Sequence, residues 1–342
     1  MPIAAVTCVR DEGDIIEEWL AHHLALGFDR IHIFDNGSED ATRAKINAVA
    51  ARNPDVTVQS WQPASGEPQK AAFEAGLARM RAEDVDWCAF LDADEFIVNA
   101  AADPQSPAGR ESLADFLARH EAHAAIGLNW AIFGSSGQEQ RPSGLMQEAF
   151  LRRAEDGFTV NRHIKSIVRP RFAKGVHHVH GFALDHPYYN AEGEEIVWRT
   201  SEHGGAVQPF AYTENFPSLT GWRINHYFCR WRGRWDEKVR LSRLRDVFWR
   251  SEQDWQHHDR NEVYDATALR WVPQVRAQMV ELGIIKPLSD PAPTPIAVPT
   301  TVAAPTPAPA QAAVVAPAPT SVVSPAPASP PARIHASRDT RI

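Results

Sequence analysis

Asp92 and Asp94 stand two residues apart, just after the apolar run Trp87-Cys88-Ala89-Phe90-Leu91. Such a run reads as a buried strand. In an extended chain, side chains at i and i+2 leave the same face. Two carboxylates placed that close repel unless a cation lies between them. Hard divalent ions such as Mg²⁺ or Mn²⁺ take carboxylate oxygens and keep positions open for phosphate. The pair therefore predicts a metal–phosphate site at the carboxyl end of a strand, with a plain acidic turn as the alternative.

Other residues could serve the same chemistry. Asp35 and Asn36 follow an alternating strand and open the turn Asp35-Asn36-Gly37-Ser38. The Asp35 carboxylate could accept hydrogen bonds from a base or ribose, and the four residues are also good turn formers. Arg10 and Glu12 close the first strand, where Arg10 could touch a nucleotide or simply be solvated. Gln69 and Lys70 open a helix that could meet a phosphate. His177, His178 and His180 are close enough for zinc, and in an extended segment the last two share a face.

The elements that must position these groups alternate. Strands are predicted at Ile3–Val9, Arg30–Phe34, Val56–Trp61 and Trp87–Asp92, with helices between them. Gly27 ends the first helix, Ser38 or Asp40 caps the second, and Pro68 starts the third. This order implies an α/β fold: right-handed crossovers and a mostly parallel sheet with helices on both faces. Ligands bind beyond the carboxyl ends of such strands. Arg10-Asp11-Glu12, Asp35-Asn36 and Asp92-Ala93-Asp94 all lie there. Further on, a helix is expected at Ser112–His120 and strands at Ile126–Phe133, Ile164–Val168 and Trp222–Phe228. A basic amphipathic helix is expected at Arg234–Arg250, and a last helix at Ala266–Leu282 that Pro273 would break or kink. Leu145–Asn161 has no clear pattern.

The chain has 342 residues and a formal net charge of -8. No global basic field favours nucleic acid. Cys8, Cys88 and Cys229 are too dispersed for a disulfide framework or a structural zinc site, which fits a reducing cytosol. The first residues do not read as a signal peptide and no apolar run reaches the roughly 20 residues a membrane span needs, so a cytoplasmic protein is expected. From about Pro287 to Pro331 the chain is Ala, Pro, Thr and Val with almost no charge, a composition expected to stay disordered.

Several blocks, taken in order, resemble a known family. They are Val6-Thr7-Cys8-Val9-Arg10-Asp11-Glu12, Glu18-Trp19-Leu20-Ala21-His22-His23 and Ile33-Phe34-Asp35-Asn36-Gly37-Ser38-Glu39-Asp40. Phe90-Leu91-Asp92-Ala93-Asp94-Glu95-Phe96, His163–Pro170, the His177–His180 cluster and Asn225-His226-Tyr227 follow. Together, over roughly residues 3–250, they are similar to family 2-like glycosyltransferases, in the branch that also resembles family 92. The chain departs from that pattern at Arg10-Asp11-Glu12, where Lys-Asn-Glu is usual.

The resemblance implies a GT-A, Rossmann-like fold, with a glycosyltransferase domain over 1–285 and a Pro/Ala-rich tail over 286–342. Residues 1–100 would form a nucleotide-binding half and 101–285 an acceptor half. It implies a nucleotide-diphosphate sugar donor, a glycan or other hydroxyl acceptor, inversion at the anomeric carbon, and Mn²⁺ or Mg²⁺ on Asp92 and Asp94. A later histidine would complete the metal, with His226 preferred over His180 and His178. Arg10, Glu12, Asp35, Asn36 and Lys165 are then the donor-binding candidates, with Arg169 beside Lys165 as a further cation for the diphosphate. An inverting transfer needs a base. Glu95 is chosen over Asp185, although Glu95 could instead orient the metal's carboxylates. Two rivals stand: a metal-dependent hydrolase or phosphatase built on His177–His180 with the two aspartates, and a non-catalytic nucleotide- or glycan-binding protein.

Overall fold

The computed structural model describes residues 1–63, 66–199, 211–244 and 251–287. These belong to one compact unit, Met1–Ser289. Nearly all of the Pro/Ala-rich segment lies outside the described residues.

The first elements alternate as expected: β1 (Ile3–Val9), α1 (Ile16–Leu26), β2 (Arg30–Asp35), α2 (Thr42–Ala50), β3 (Val56–Ser60), α3 (Pro68–Ala82) and β4 (Trp87–Leu91). Period-two alternation along β1 and β4 feeds two cores. Ile3, Ala5 and Val9 of β1, with Trp87, Ala89 and Leu91 of β4, pack with Ile16, Trp19 and Leu20 of α1 and Ile46 and Val49 of α2. Ala4, Val6, Cys88 and Phe90 face Phe73, Leu77 and Met80 of α3 on the other side. Strands covered on both faces are apolar throughout, as parallel strands usually are. Gly27 takes a left-handed φ of 110° and returns its N–H to the carbonyls of His23 and Leu24, which ends α1. Gly76 lets α3 approach β1 closely, since a Cβ there would stand 2.7 Å from Val6 Cγ1.

Then come β5 (Glu95–Asn99), α4 (Pro107–Arg110), α5 (Leu113–Arg119), β6 (Ala125–Ile132), α6 (Met146–Ala149), β7 (Arg152–Arg153), β8 (Ile164–Val168), β9 (Gly175–His178), β10 (Gly181–Ala183) and β11 (Trp222–His226). Last are α7 (Arg232–Leu244), α8 (Glu252–His258), β12 (Val263–Tyr264) and α9 (Val272–Glu281). The last expected helix is divided just before Pro273: a 3-10 turn covers Thr267–Trp271, and Pro273 stands in the first turn of α9, where its missing N–H is not needed. The basic helix begins two residues early, at Arg232, and its expected end at Arg250 lies outside the described residues.

Eight strands form one sheet in the order β3-β2-β1-β4-β8-β6-β11-β5. The fold is α/β, with a mainly parallel sheet covered by helices. β8 runs antiparallel to β4 and β6, and β5 antiparallel to β11. β5 was not anticipated, because five residues directly after an acidic turn give no length for a pattern. It forms because β11 supplies its ladder and α1 supports it: Trp19 Nε1 donates to the Glu95 carbonyl at 2.8 Å, and His22 Nε2 to that of Ile97 at 2.7 Å. No helix among the described residues is long and apolar enough to cross a membrane.

Candidate active site

Strand directions decide which loops meet. β1, β2, β3 and β4 are parallel, so Val9, Asp35, Ser60 and Leu91 end at one edge. β8 is antiparallel to both β4 and β6, which makes β6 parallel to β4, and β11 is parallel to β6. His226 therefore reaches the same edge, together with the amino ends of β8 and β5, Ile164 and Glu95. Of the expected site residues, Arg10, Glu12, Asp35, Asn36, Asp92, Asp94, Glu95, Lys165 and His226 all gather there. Arg169 does not: it follows the carboxyl end of the reversed β8, at the opposite edge, over the Trp87 ring at 4.8 Å. The expected diphosphate role for Arg169 fails on strand direction. Asp185 is exposed and pairs with Lys174.

The extended geometry expected for Asp92 and Asp94 is corrected. Residues 92–94 are a turn between β4 and β5. The Glu95 N–H donates to the Asp92 carbonyl at 3.2 Å, and the two carboxylates turn to different partners. Asp92 Oδ1 faces Lys165 Nζ at 3.0 Å and accepts from Gln69 Nε2. Its backbone N–H donates to Glu95 Oε2 at 2.8 Å, and Lys165 Nζ also lies 3.6 Å from that oxygen. Burial would lower the Lys165 pKa, but Asp92 and Glu95 outweigh it and hold the ammonium above its usual value. Burial, helped by Asp92, pushes the Glu95 carboxyl well above the ordinary range despite Lys165. Glu95 is wholly buried, and its Oε1 has no hydrogen-bond partner. Glu95, the expected base, is enclosed in this structure, and its bonds to the Asp92 N–H and Lys165 shape the turn.

Asp94 faces the other way. Its Oδ1 lies 3.4 Å from His226 Nε2, and its Oδ2 lies 3.4 Å from Arg230 NH2 and 3.7 Å from Lys238 Nζ. Burial would raise its pKa, but Lys238, His226 and Arg230 together hold it well below the carboxylate range. The same cations hold the carboxylates of the β1–α1 loop. Arg230 NH2 reaches Glu12 Oε2 at 2.5 Å, across 218 positions of sequence, and its NH1 reaches Asp14 Oδ2 at 2.8 Å. Lys238 Nζ reaches Glu12 Oε1 at 2.9 Å. Arg234 adds Asp14 Oδ2 at 3.4 Å and donates to the Asp11 carbonyl. Burial would raise Asp14 too, but Arg230, Arg234 and Lys238 bring it down to about 2. Arg230, buried and with a left-handed φ of 55°, is the hub of this network.

Asp14, Arg230, Arg234 and Lys238 were missed by the sequence reading. A signal was present: three cations at four-residue spacing, one stripe of a helix and its lead-in. Glu12, an expected donor-binding group, belongs to this network as a partner of Arg230 and Lys238. The cap position of α2 is Ala41, yet of the two expected caps, Ser38 and Asp40, the second accepts from the N–H of Thr42, the first residue of α2, at 2.8 Å. Both bond the β1–α1 loop, accepting from Asp11 N and Gly13 N, each at 3.0 Å. Asp11, at φ 55°, returns the bond by accepting from Glu39 N at 2.7 Å. Asp35 accepts from Ser38 N at 3.0 Å and faces Arg43 at 3.5 Å, so its carboxylate forms the turn. Arg10, paired with Glu39 at 3.6 Å, lines a cavity of about 240 Å³ together with Asn36, Arg234 and Lys238.

The His177–His180 segment forms the β9–β10 hairpin. His177 is exposed, while His180 is buried and its Nδ1 donates to the Ile164 carbonyl at 2.8 Å. Among the described residues no three His, Cys, Asp or Glu side chains converge as a metal-holding group. That holds for His177–His180 with Asp92 and Asp94, and equally for Asp94 with His226, which make two ligands. A hard ion with bonds of about 2.1 Å holds adjacent ligands about 3 Å apart. Asp94 Oδ1 and His226 Nε2 fit that spacing, while Asp92, tied to Lys165 and Gln69, could join only through water.

The sequence model of glycosyltransferase family 92 matches residues 6–238. A glycosyltransferase family 92 protein of Ricinus communis is 30% identical over 191 residues, 54% of this chain and 32% of that protein. One from Oryza sativa subsp. japonica is 31% identical over 185 residues, 51% of this chain and 29% of that protein. The chain thus spans about a third of the length of these relatives. Among solved structures, the Mycobacterium tuberculosis glucosyl-3-phosphoglycerate synthase with Mn²⁺, UDP-glucose and phosphoglyceric acid aligns at TM-score 0.24 and 22% identity, over 38% of this chain and 44% of that one. A mycobacterial protein aligns at TM-score 0.31 and 16% identity, over 56% and 58%.

Proposed function

Because the chain belongs to glycosyltransferase family 92, we propose that it moves a sugar from a nucleoside-diphosphate donor to an acceptor hydroxyl, with inversion at the anomeric carbon. One observation carries the assignment to this edge of the sheet: Asp94, in the β4–β5 turn, and His226, at the end of β11, meet at 3.4 Å beside a cluster of buried cations.

Asp94 and His226 would hold Mn²⁺ or Mg²⁺. When bound, the ion supplies positive charge to the diphosphate as it leaves. The chain's own groups do the rest. Lys165, fixed by Asp92 and Glu95, keeps the turn at 92–94 in one shape. Arg10 and Asn36 offer a cation and an amide to the nucleotide at the cavity beside β1. Fixed cations at the place where charge develops need no reorganisation, and this is where such groups act most strongly.

The test is a panel of nucleotide sugars with and without Mn²⁺, read by nucleoside-diphosphate release and by thermal shift. A ligand that binds the folded state raises its apparent stability. At least one donor should give Mn²⁺-dependent release that Asp94→Ala and His226→Ala both abolish. Loss of release in neither variant, or no response to any donor, would sink the reading. The proton spectrum of the product reports inversion or retention directly.

A further inference from the structure

We propose that Lys238 is the cation that grips the donor's diphosphate, and that Glu12 holds it in reserve beside Asp94 until the donor arrives. This deepens the glycosyltransferase reading and rests on it.

The three cations of the stripe are not held alike. Arg230 is closed in by Asp14, Glu12 and Asp94, with its side chain 1% exposed. Arg234, at 7%, is fixed through Asp14, Glu237 and the Asp11 carbonyl. Lys238 is the most open of them at 17%, and its ammonium stands between Glu12 Oε1 at 2.9 Å and Asp94 Oδ2 at 3.7 Å. Its side chain also borders the cavity of about 240 Å³ that Arg10 and Asn36 line. It therefore touches both the aspartate suited to a metal and the space suited to a nucleotide.

A lysine ammonium is a compact point charge on a flexible stem, suited to a phosphate oxygen that moves during reaction. A diphosphate carries more negative charge than one carboxylate, so it competes for the ammonium against Glu12. As the bond from the anomeric carbon to the diphosphate oxygen breaks, its electron pair stays on that oxygen. Lys238 meets this charge by hydrogen bonding, and no proton need be transferred. Arg230 and Arg234 stay on Glu12 and Asp14, so releasing Lys238 leaves both of those carboxylates paired.

The experiment uses the full chain and calorimetric titration with UDP and GDP, with uridine and guanosine as controls, in EDTA and again with Mn²⁺. Lys238→Met should weaken whichever diphosphate binds by roughly 10-fold in both conditions, with its nucleoside unaffected, while Lys238→Arg stays within about 3-fold. Glu12→Gln should tighten the diphosphate about 3-fold, because the lysine no longer has to leave a charged partner. Melting temperatures of all variants show whether each is folded. The idea is overturned if Lys238→Met binds the diphosphate as wild type does. It is also overturned if Glu12→Gln weakens binding as much as Lys238→Met, which would mean the pair only holds the loop. Wild type that binds Mn²⁺ but neither diphosphate would remove the glycosyltransferase reading as well.

Discussion

Asp92 and Asp94 are near neighbours in sequence and end in opposite surroundings. Asp92 is half open to solvent, yet its partner Lys165 is fully buried on a strand and pinned by Glu95 as well. Asp94 is buried, yet two of its partners come from a connecting segment and a helix laid over the edge after the last strand, and one of them, Lys238, borders a cavity. The first half of the site is thus built into the sheet, and the second is assembled by docking α7. A fixed pair resists change and contributes shape, whereas a docked pair can exchange partners. This difference is why a metal and a diphosphate are placed on the Asp94 side.

The largest expected effect separates the two aspartates by activity. Asp94→Ala should lower transfer roughly 10³-fold or more, by removing a charge used in the transition state. Asp92→Ala should cost roughly 10- to 100-fold, the range seen when a supporting partner is lost. Equal losses in steady-state kinetics would erase the distinction. Stability should order the cations in reverse. Lys165→Met leaves Asp92 and Glu95 without their cation in a buried setting, a change worth about 3–5 kcal/mol by urea unfolding. Lys238→Met, with a more open ion pair, should cost no more than about 1 kcal/mol.

Acid should loosen the two halves in sequence. Burial lowers His22, which supports β5, to about 4 from an ordinary 6.5. The unfolded chain then takes up that proton first, so stability falls as pH drops from about 6.5 towards 4 and is restored above 6.5. Buried Glu18, raised to about 7 by its burial, has the opposite sign between 4.5 and 7. His32 and His120, also brought to about 4 chiefly by burial, outweigh it. Asp14, on the Asp94 side, is held at about 2 against 3.8, burial being overcome by Arg230 and its neighbours, so its pairs weaken only below about 3.8. Hydrogen exchange at pH 5 should show β5 opening before the β1–α1 loop, and the reverse order would contradict the contrast. The smallest effect is expected for Glu95→Gln. A buried carboxyl pushed above its usual range, and bonded to the Asp92 N–H, should tolerate an amide with less than about a 10-fold loss of activity. A loss of 10³-fold would mark Glu95 as the base.

Much of the fold was legible because its signals are local. The short apolar runs Ile3–Val9 and Trp87–Leu91, the Gly27 stop and the Pro68 start each lie within a few residues, and together they imply parallel strands with a shared ligand edge. That the acidic pair stands at this edge, with His226 as a candidate to meet it, was legible too, whereas Lys165, expected on the donor's diphosphate, instead pairs with Asp92 and Glu95. Three things were not. Asp92-Ala93-Asp94 turns, because β5 is drawn to the far side of the sheet by pairing with β11, and no local pattern encodes a partner more than a hundred residues away. β8 is reversed, which carries Lys165 to the site and Arg169 away from it. Glu12 and Asp14 face Arg230, Arg234 and Lys238, a match between two loops that are neighbours only in space. Side-chain periodicity says which face of an element is buried. Strand direction and docking say which charges meet, and those depend on the whole chain being folded.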